Sequence, residues 1–225
     1  MSATSNVQSS THLIGHGATA TGYQVTYAGT AIVTPAVLTI TTLDQTGTYG
    51  QTPILNNSAY TVSGLVNGDT LASTTLTTSA TSQSNVGTYA ITANTFTGPT
   101  ISNYTITQVN GVYTIIPAAL SITALDQTGT YGQTPTLGAT ALRTSGLVNG
   151  DTLASATLTT NATSQSNVGS YAITASKARG SGLGNYAITY MPGTYSITPA
   201  ALSITALDQT GTYGQTPTLD ATAFR

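Results

Sequence analysis

An all-β chain of tandem small modules is what this sequence predicts, and three observations carry that expectation: a strict internal repeat, a two-residue hydrophobic alternation, and a composition almost free of charge. Charged residues make up 4% of the 225 residues, where an ordinary globular domain has about a quarter. There is no Glu, and the acids are Asp44, Asp69, Asp126, Asp151, Asp208 and Asp220. Thr fills about one position in five. Glu, Lys and Arg are the usual outer-face residues of helices, whereas β-branched Thr suits a pleated surface. Recurring Ile, Leu, Val and Tyr separate the chain from the disordered class.

The repeat organises everything else. Thr46–Pro53 returns at Thr128–Pro135 and at Thr210–Pro217, offset by 82 residues each time. Ser63–Leu71 returns at Ser145–Leu153, Ser84–Gly87 at Ser166–Gly169, and Pro35 at Pro117 and Pro199. A fixed period of this kind means an array of like modules, expected to be elongated. Residues 36–117 and 118–199 are read as complete units. Residues 200–225 open a further one and match 118–143 except at Asp220 and Phe224. Residues 1–34, with Tyr23–Tyr27 leading to Thr34-Pro35, read as the end of a preceding unit.

Within a unit, Tyr104–Val109 and Val112–Ile116 flank Asn110-Gly111, a dipeptide that signals a two-residue hairpin. That hairpin would put Tyr104, Ile106, Tyr113 and Ile115 on one face, with Thr105, Thr107 and Thr114 on the other. The second unit repeats the register around Pro192-Gly193, with Tyr186, Ile188, Tyr190, Tyr195 and Ile197 inward. After Pro117, Leu120, Ile122 and Ala124 alternate with Ser121 and Thr123. Direct Pro junctions should limit bending between units. Asn67–Ala72 is the one helix hint, with Asp69 as the cap.

The quoted segments resemble a known family. TYGQTP (Thr48–Pro53), SGLVNGDTL (Ser63–Leu71), SNVGTYAIT (Ser84–Thr92) and the NYTIT and GVYTIIPA stretches (Asn103–Thr107, Gly111–Ala118) are similar to the MBG domain of the YGX type. Such domains occur in tandem in large bacterial adhesins, including filamentous-haemagglutinin-like and autotransporter proteins. The resemblance implies surface display and adhesion and brings no catalytic, cofactor-binding or metal-binding residues. An immunoglobulin-like sandwich is the favoured fold and a β-grasp-like module the alternative.

Individual residues add little chemistry. His12 and His16 stand four apart, but Gly15 and Gly17 oppose the helix a zinc pair would need, so they read as loop residues. Asp44, Asp126 and Asp208 each precede a Gly-containing turn without a second carboxylate nearby, which predicts turn hydrogen bonding rather than calcium. Asp69 and Asp151, after Asn-Gly, read the same way. The tyrosines alternate with Ile and belong in the core rather than on a sugar platform. Val86–Tyr89 looks like a tyrosine corner. Asn56, Asn103 and Asn161 lie in N-x-Ser/Thr sequons, coincidental in a bacterial chain.

No basic patch suits nucleic acid, no apolar run has the length of a membrane span, and no Cys is present. Residues 1–20 lack a signal-peptide pattern, which puts an export signal outside this sequence. The expected function is a non-enzymatic, extracellular stalk or adhesive segment without cofactors. Its expected partners are neighbouring repeats, a surface receptor or glycan, and, by head-to-tail contact, other copies of the chain. A glycan-binding module is the alternative, and ice binding ranks below it because Thr lacks a flat, regular array.

Overall fold

The computed structural model describes residues 10–12, 21–22, 30–218 and 220–225. Strands β1 (Ser10–His12) and β2 (Thr30–Ile32) pair antiparallel. His16 and the Tyr23–Gly29 stretch lie outside the described residues.

The first repeat holds seven strands: β3 (Ala36–Thr42), β4 (Gln45–Thr48), β5 (Tyr60–Ser63), β6 (Ser73–Thr78), β7 (Gly87–Thr97), β8 (Tyr104–Val109) and β9 (Gly111–Ile116). The second repeats them as β10 (Ala118–Ala124), β11 (Gln127–Thr130), β12 (Leu142–Ser145), β13 (Thr152–Thr160), β14 (Gly169–Ser181), β15 (Tyr186–Met191) and β16 (Gly193–Thr198). A 3₁₀ turn precedes β8 and another precedes β15. Among the described residues there is no α-helix.

Each repeat builds a three-stranded and a four-stranded sheet, ordered β5-β3-β8 with β4-β9-β7-β6, then β12-β10-β15 with β11-β16-β14-β13. The sheets are mixed. β3 runs parallel to β8 and antiparallel to β5, and β9 runs parallel to β4 and antiparallel to β7. The chain is all-β, and its two repeats share one topology.

Alternation along the strands makes the core. Leu38 and Ile40 of β3 are buried with Ile91 and Ala93 of β7, Tyr104 of β8, and Tyr113 and Ile115 of β9. The same positions in the second repeat are Leu120, Ile122, Ile173, Ala175, Tyr186, Tyr195 and Ile197, all buried. The Thr42 hydroxyl ties the two sheets of the first repeat together, donating to the Ile91 carbonyl at 2.9 Å and accepting from the Gly111 N–H.

The expected hairpin at Asn110-Gly111 does not form. β8 joins the sheet of β3, and β9 joins the sheet of β7 and β4. The chain passes from one sheet to the other at Asn110, with neither Asn110 nor Gly111 in the left-handed conformation of a tight primed turn. Pro192-Gly193 makes the same passage between β15 and β16. Tyr104 and Ile106 therefore come from one sheet of the repeat, and Tyr113 and Ile115 from the other.

The helix hint is corrected as well. Asn67 and Gly68 have φ of 57° and 75°, and the Asp69 N–H bonds the Val66 carbonyl at 2.9 Å. Positive φ at both central positions is a type I′ turn. The opening strand expected in residues 200–225 is reduced to one bridge, Ala206 to Phe224, at the register of Ala124 and Leu142. Among the described residues no strand neighbours this bridge as β15 neighbours β10. Leu202 and Ile204 are exposed, as their sequence position predicts.

Packing divides the chain into two compact units. The first comprises Met1–Ala119 together with Leu147–Asp151 and Gly182–Ala187, and the second comprises Leu120–Gly146, Thr152–Ser181 and Ile188–Arg225. Two loops of the second sequence repeat thus belong to the compact unit of the first.

Candidate functional site: the Tyr49–Asp151 contact

In the first compact unit a set of side-chain hydrogen bonds joins Leu147–Asp151 and Gly182–Ala187 to the first repeat. The turn Val148–Asp151 repeats the type I′ conformation, with Asn149 at φ 57° and Gly150 at φ 77°. It aims Asp151 at two tyrosines. Asp151 Oδ2 accepts from the Tyr186 hydroxyl at 2.8 Å and from the Tyr49 hydroxyl at 2.9 Å. The Tyr186 oxygen in turn accepts from the Val148 N–H at 2.9 Å. The rings of Tyr49 and Tyr186 meet edge to face, centroids 5.4 Å apart, a favoured aromatic geometry.

Asparagines complete the contact. Asn185 is buried; its Oδ1 accepts from the Val86 N–H at 2.9 Å and its Nδ2 donates to Asn85 Oδ1 at 3.0 Å. Asn149 Nδ2 donates to the Ser82 carbonyl at 2.8 Å. The tyrosine corner read from the sequence holds the receiving loop, since the Tyr89 hydroxyl bonds the Asn85 carbonyl at 2.9 Å. Tyr171 does the same to Asn167 in the second repeat. Gly50, at φ +84°, makes room: a Cβ there would lie 2.4 Å from Val148 Cγ2.

Asp44, Asp69, Asp126 and Asp151 are thus corrected from local turn formers to long-range acceptors. Asp69 Oδ2 accepts from Tyr104 at 2.6 Å, matching Asp151 and Tyr186. Asp44 Oδ1 takes the Val112 N–H at 2.8 Å and Asp126 Oδ1 the Thr194 N–H at 2.7 Å, so each anchors a strand 68 residues away. Their spacing from any partner in sequence hid these roles. Asp208, on the tail, is exposed. His12 lies in β1 and its side chain falls outside the described residues, as does His16. Among the described residues no group of three or more His, Asp or Glu side chains gathers to hold a metal. Asn56, of the first sequon, accepts the Ser58 N–H with its own side chain; Asn161 is exposed.

A groove recurs between the Thr-Pro-x-Leu loop and β6 or β13, about 470 Å³ at Thr52, Pro53, Leu55 and Leu76 and about 560 Å³ at Thr134, Pro135, Leu137 and Leu158. It offers hydroxyls but no aromatic side chain on which a sugar face would stack.

Tyr104 and Tyr186, each bonded to a half-buried turn aspartate, resist ionisation. The Tyr104 pKa is raised, first by its hydrogen bond to Asp69, and that of Tyr186 first by burial, with the Asp151 bond adding to it. A raised native pKa stabilises the fold at all pH below the unfolded tyrosine value of about 10, and that stability is lost as pH rises through the native values. The melting temperature should therefore fall between pH 9 and pH 11.5. A Tyr104→Phe/Tyr186→Phe variant should lose less over that span than the parent; an equal loss would show that these two groups are not responsible.

The match to known proteins agrees with this repeat geometry. Comparison with curated proteins gives no match. The family described as MBG domain (YGX type) matches residues 38–114 and again residues 120–196, so that β3 to β9 and β10 to β16 each fall on one domain, with Tyr49-Gly50-Gln51 and Tyr131-Gly132-Gln133 at equivalent places. The chain belongs to the MBG domain (YGX type) family and carries two of its domains in tandem.

Proposed function

We propose that this chain is a non-enzymatic segment of a bacterial surface or secreted adhesin, in which MBG repeats form a structural stalk with weak adhesion spread over its faces. The observation that supports it most is the Tyr49–Asp151 contact. The acids and buried amides of the repeats are engaged in holding strands, turns and successive repeats together, as Asp44, Asp151 and Asn185 illustrate. The outer faces are threonine-rich and nearly uncharged, with cross-strand hydroxyl pairs such as Thr77–Thr92 and Thr159–Thr174. Such a surface offers few charges for salt to screen and little field to attract a charged partner.

The reading places the chain outside the cell. Antibodies against residues 36–199 should label intact cells that make the parent protein, and protease treatment of those cells should remove the label. Label that appears only after permeabilisation would overturn the surface placement.

A further inference from the structure

We infer that the face formed by Tyr131, Asn167 and Val168 on the second repeat is a docking surface for the Val-Asn-Gly-Asp turn and Asn-Tyr pair of a further MBG repeat. The inference rests on the repeat architecture and not on where the protein is displayed.

The first repeat shows the same face occupied. Tyr49, Gly50, Ser82, Asn85 and Val86 receive Val148, Asn149, Asp151, Asn185 and Tyr186. Every receiving residue recurs unchanged 82 positions later as Tyr131, Gly132, Ser164, Asn167 and Val168. Donors and acceptors are therefore the same, since three of the contacts use a backbone N–H, a backbone carbonyl and a tyrosine hydroxyl.

What differs is the cover. Tyr49 is 5% exposed, whereas Tyr131 is 48% and Tyr213, in the tail, 104%. Gly132 has the same backbone as Gly50, φ +87° against +84°, yet a Cβ at Gly132 would meet nothing within 4 Å where one at Gly50 would strike Val148. An open pocket of about 660 Å³ lies at this place, lined by Tyr131, Asn167 and Val168 with Pro199 and Leu202. An exposed Tyr and Val with polar groups poised around them is the character of an interaction surface core.

The tail identifies the occupant. Residues 200–225 repeat 118–143, the stretch that in the second repeat stands just before Leu147–Asp151. A repeat completed from this tail carries the mating turn in the order that already docks once in the chain. The Pro199 junction matches Pro117 in position, so a further repeat would be joined at the same spacing.

Tyrosine nitration by tetranitromethane, mapped by peptide mass, tests this. In the chain as it stands, Tyr131 should react about ten-fold or more faster than Tyr49, because protection reflects the fraction of time the contact is open. Asn185→Ala, which strips the bonds to Asn85 and Val86, should speed Tyr49 and leave Tyr131 unchanged. Appending a copy of residues 144–199 after Arg225 completes a third repeat, and Tyr131 should then slow to the rate of Tyr49. Three results would overturn the inference. One is equal reactivity of Tyr49 and Tyr131 in the original chain. Another is a reactive Tyr131 in the extended chain, whether or not the third repeat gains exchange-protected amides, since docking should order it. The last is concentration-dependent protection of Tyr131 in the original chain, which would assign the face to a second copy.

Discussion

Replacing Ile40 by alanine is expected to cost the first repeat about 2–5 kcal/mol, the range for removing a large aliphatic side chain from a packed core. Ile40 lies on β3, the central strand of its sheet, and is 0% exposed. The hydrophobic transfer of its lost methyl and methylene groups and the cavity left behind add together. Domains of this size hold only about 0.05–0.15 kcal/mol per residue, so the substitution removes a large share of the stability. Neither a disulfide nor, among the described residues, a metal cluster is present to make up the loss. Urea unfolding should show the midpoint falling sharply, with Ile40→Val costing only about 0.5–1.5 kcal/mol. Ile122→Ala at the matching position should behave alike. A cost for Ile40→Ala below that of Ile40→Val would contradict a packed β3.

Gly64→Ala should be comparably damaging through the backbone instead of the core. Gly64 has φ +96°, where a residue with a Cβ is strained by about 1–3 kcal/mol. Its Cβ would also sit 2.2 Å from the Val37 carbonyl oxygen, a backbone atom of β3 that cannot swing aside. Forcing the strand to yield costs about another 1–3 kcal/mol on the scale of overpacked sites. Gly68, four residues on, is the control. It has φ +75° but nothing within 4 Å of a Cβ, so Gly68→Ala should cost only about 1–2 kcal/mol for the left-handed backbone. Equal urea midpoints for the two variants would show that the close approach to Val37 is not a constraint.

The core was legible before the structure because alternation is a local property. Leu120, Ile122 and Ala124 are buried and Ser121 and Thr123 are less so, as a period of two requires. Tyr104, Ile106, Tyr113 and Ile115 also point inward as expected. The pairing that was to bring them inward was wrong. One face of a hairpin and two sheets sharing a core use the same residues in the same alternation, so the pattern near Asn110 does not distinguish them. The choice rests on partners far along the chain, β3 for β8 and β7 for β9. The aspartates failed for the same reason. A lone acid beside Gly looks like a turn residue, and the tyrosine it accepts from stands 35 or 102 residues away.

By itself, then, the sequence determined the 82-residue period, the all-β class, the strands after Pro35 and Pro117 and on either side of Asn110-Gly111 and Pro192-Gly193, their inward faces and the tyrosine corners. Each of these is set by residues within a few positions of one another or by plain identity between copies. Only the tertiary structure decided which strands share a sheet and that Asp151 reaches Tyr49. It also decided that Leu147–Asp151 and Gly182–Ala187 pack with the first repeat while the identical face around Tyr131 stands open. Identical sequence cannot distinguish Tyr49 from Tyr131, because the burial of a side chain depends on what the rest of the chain brings to it.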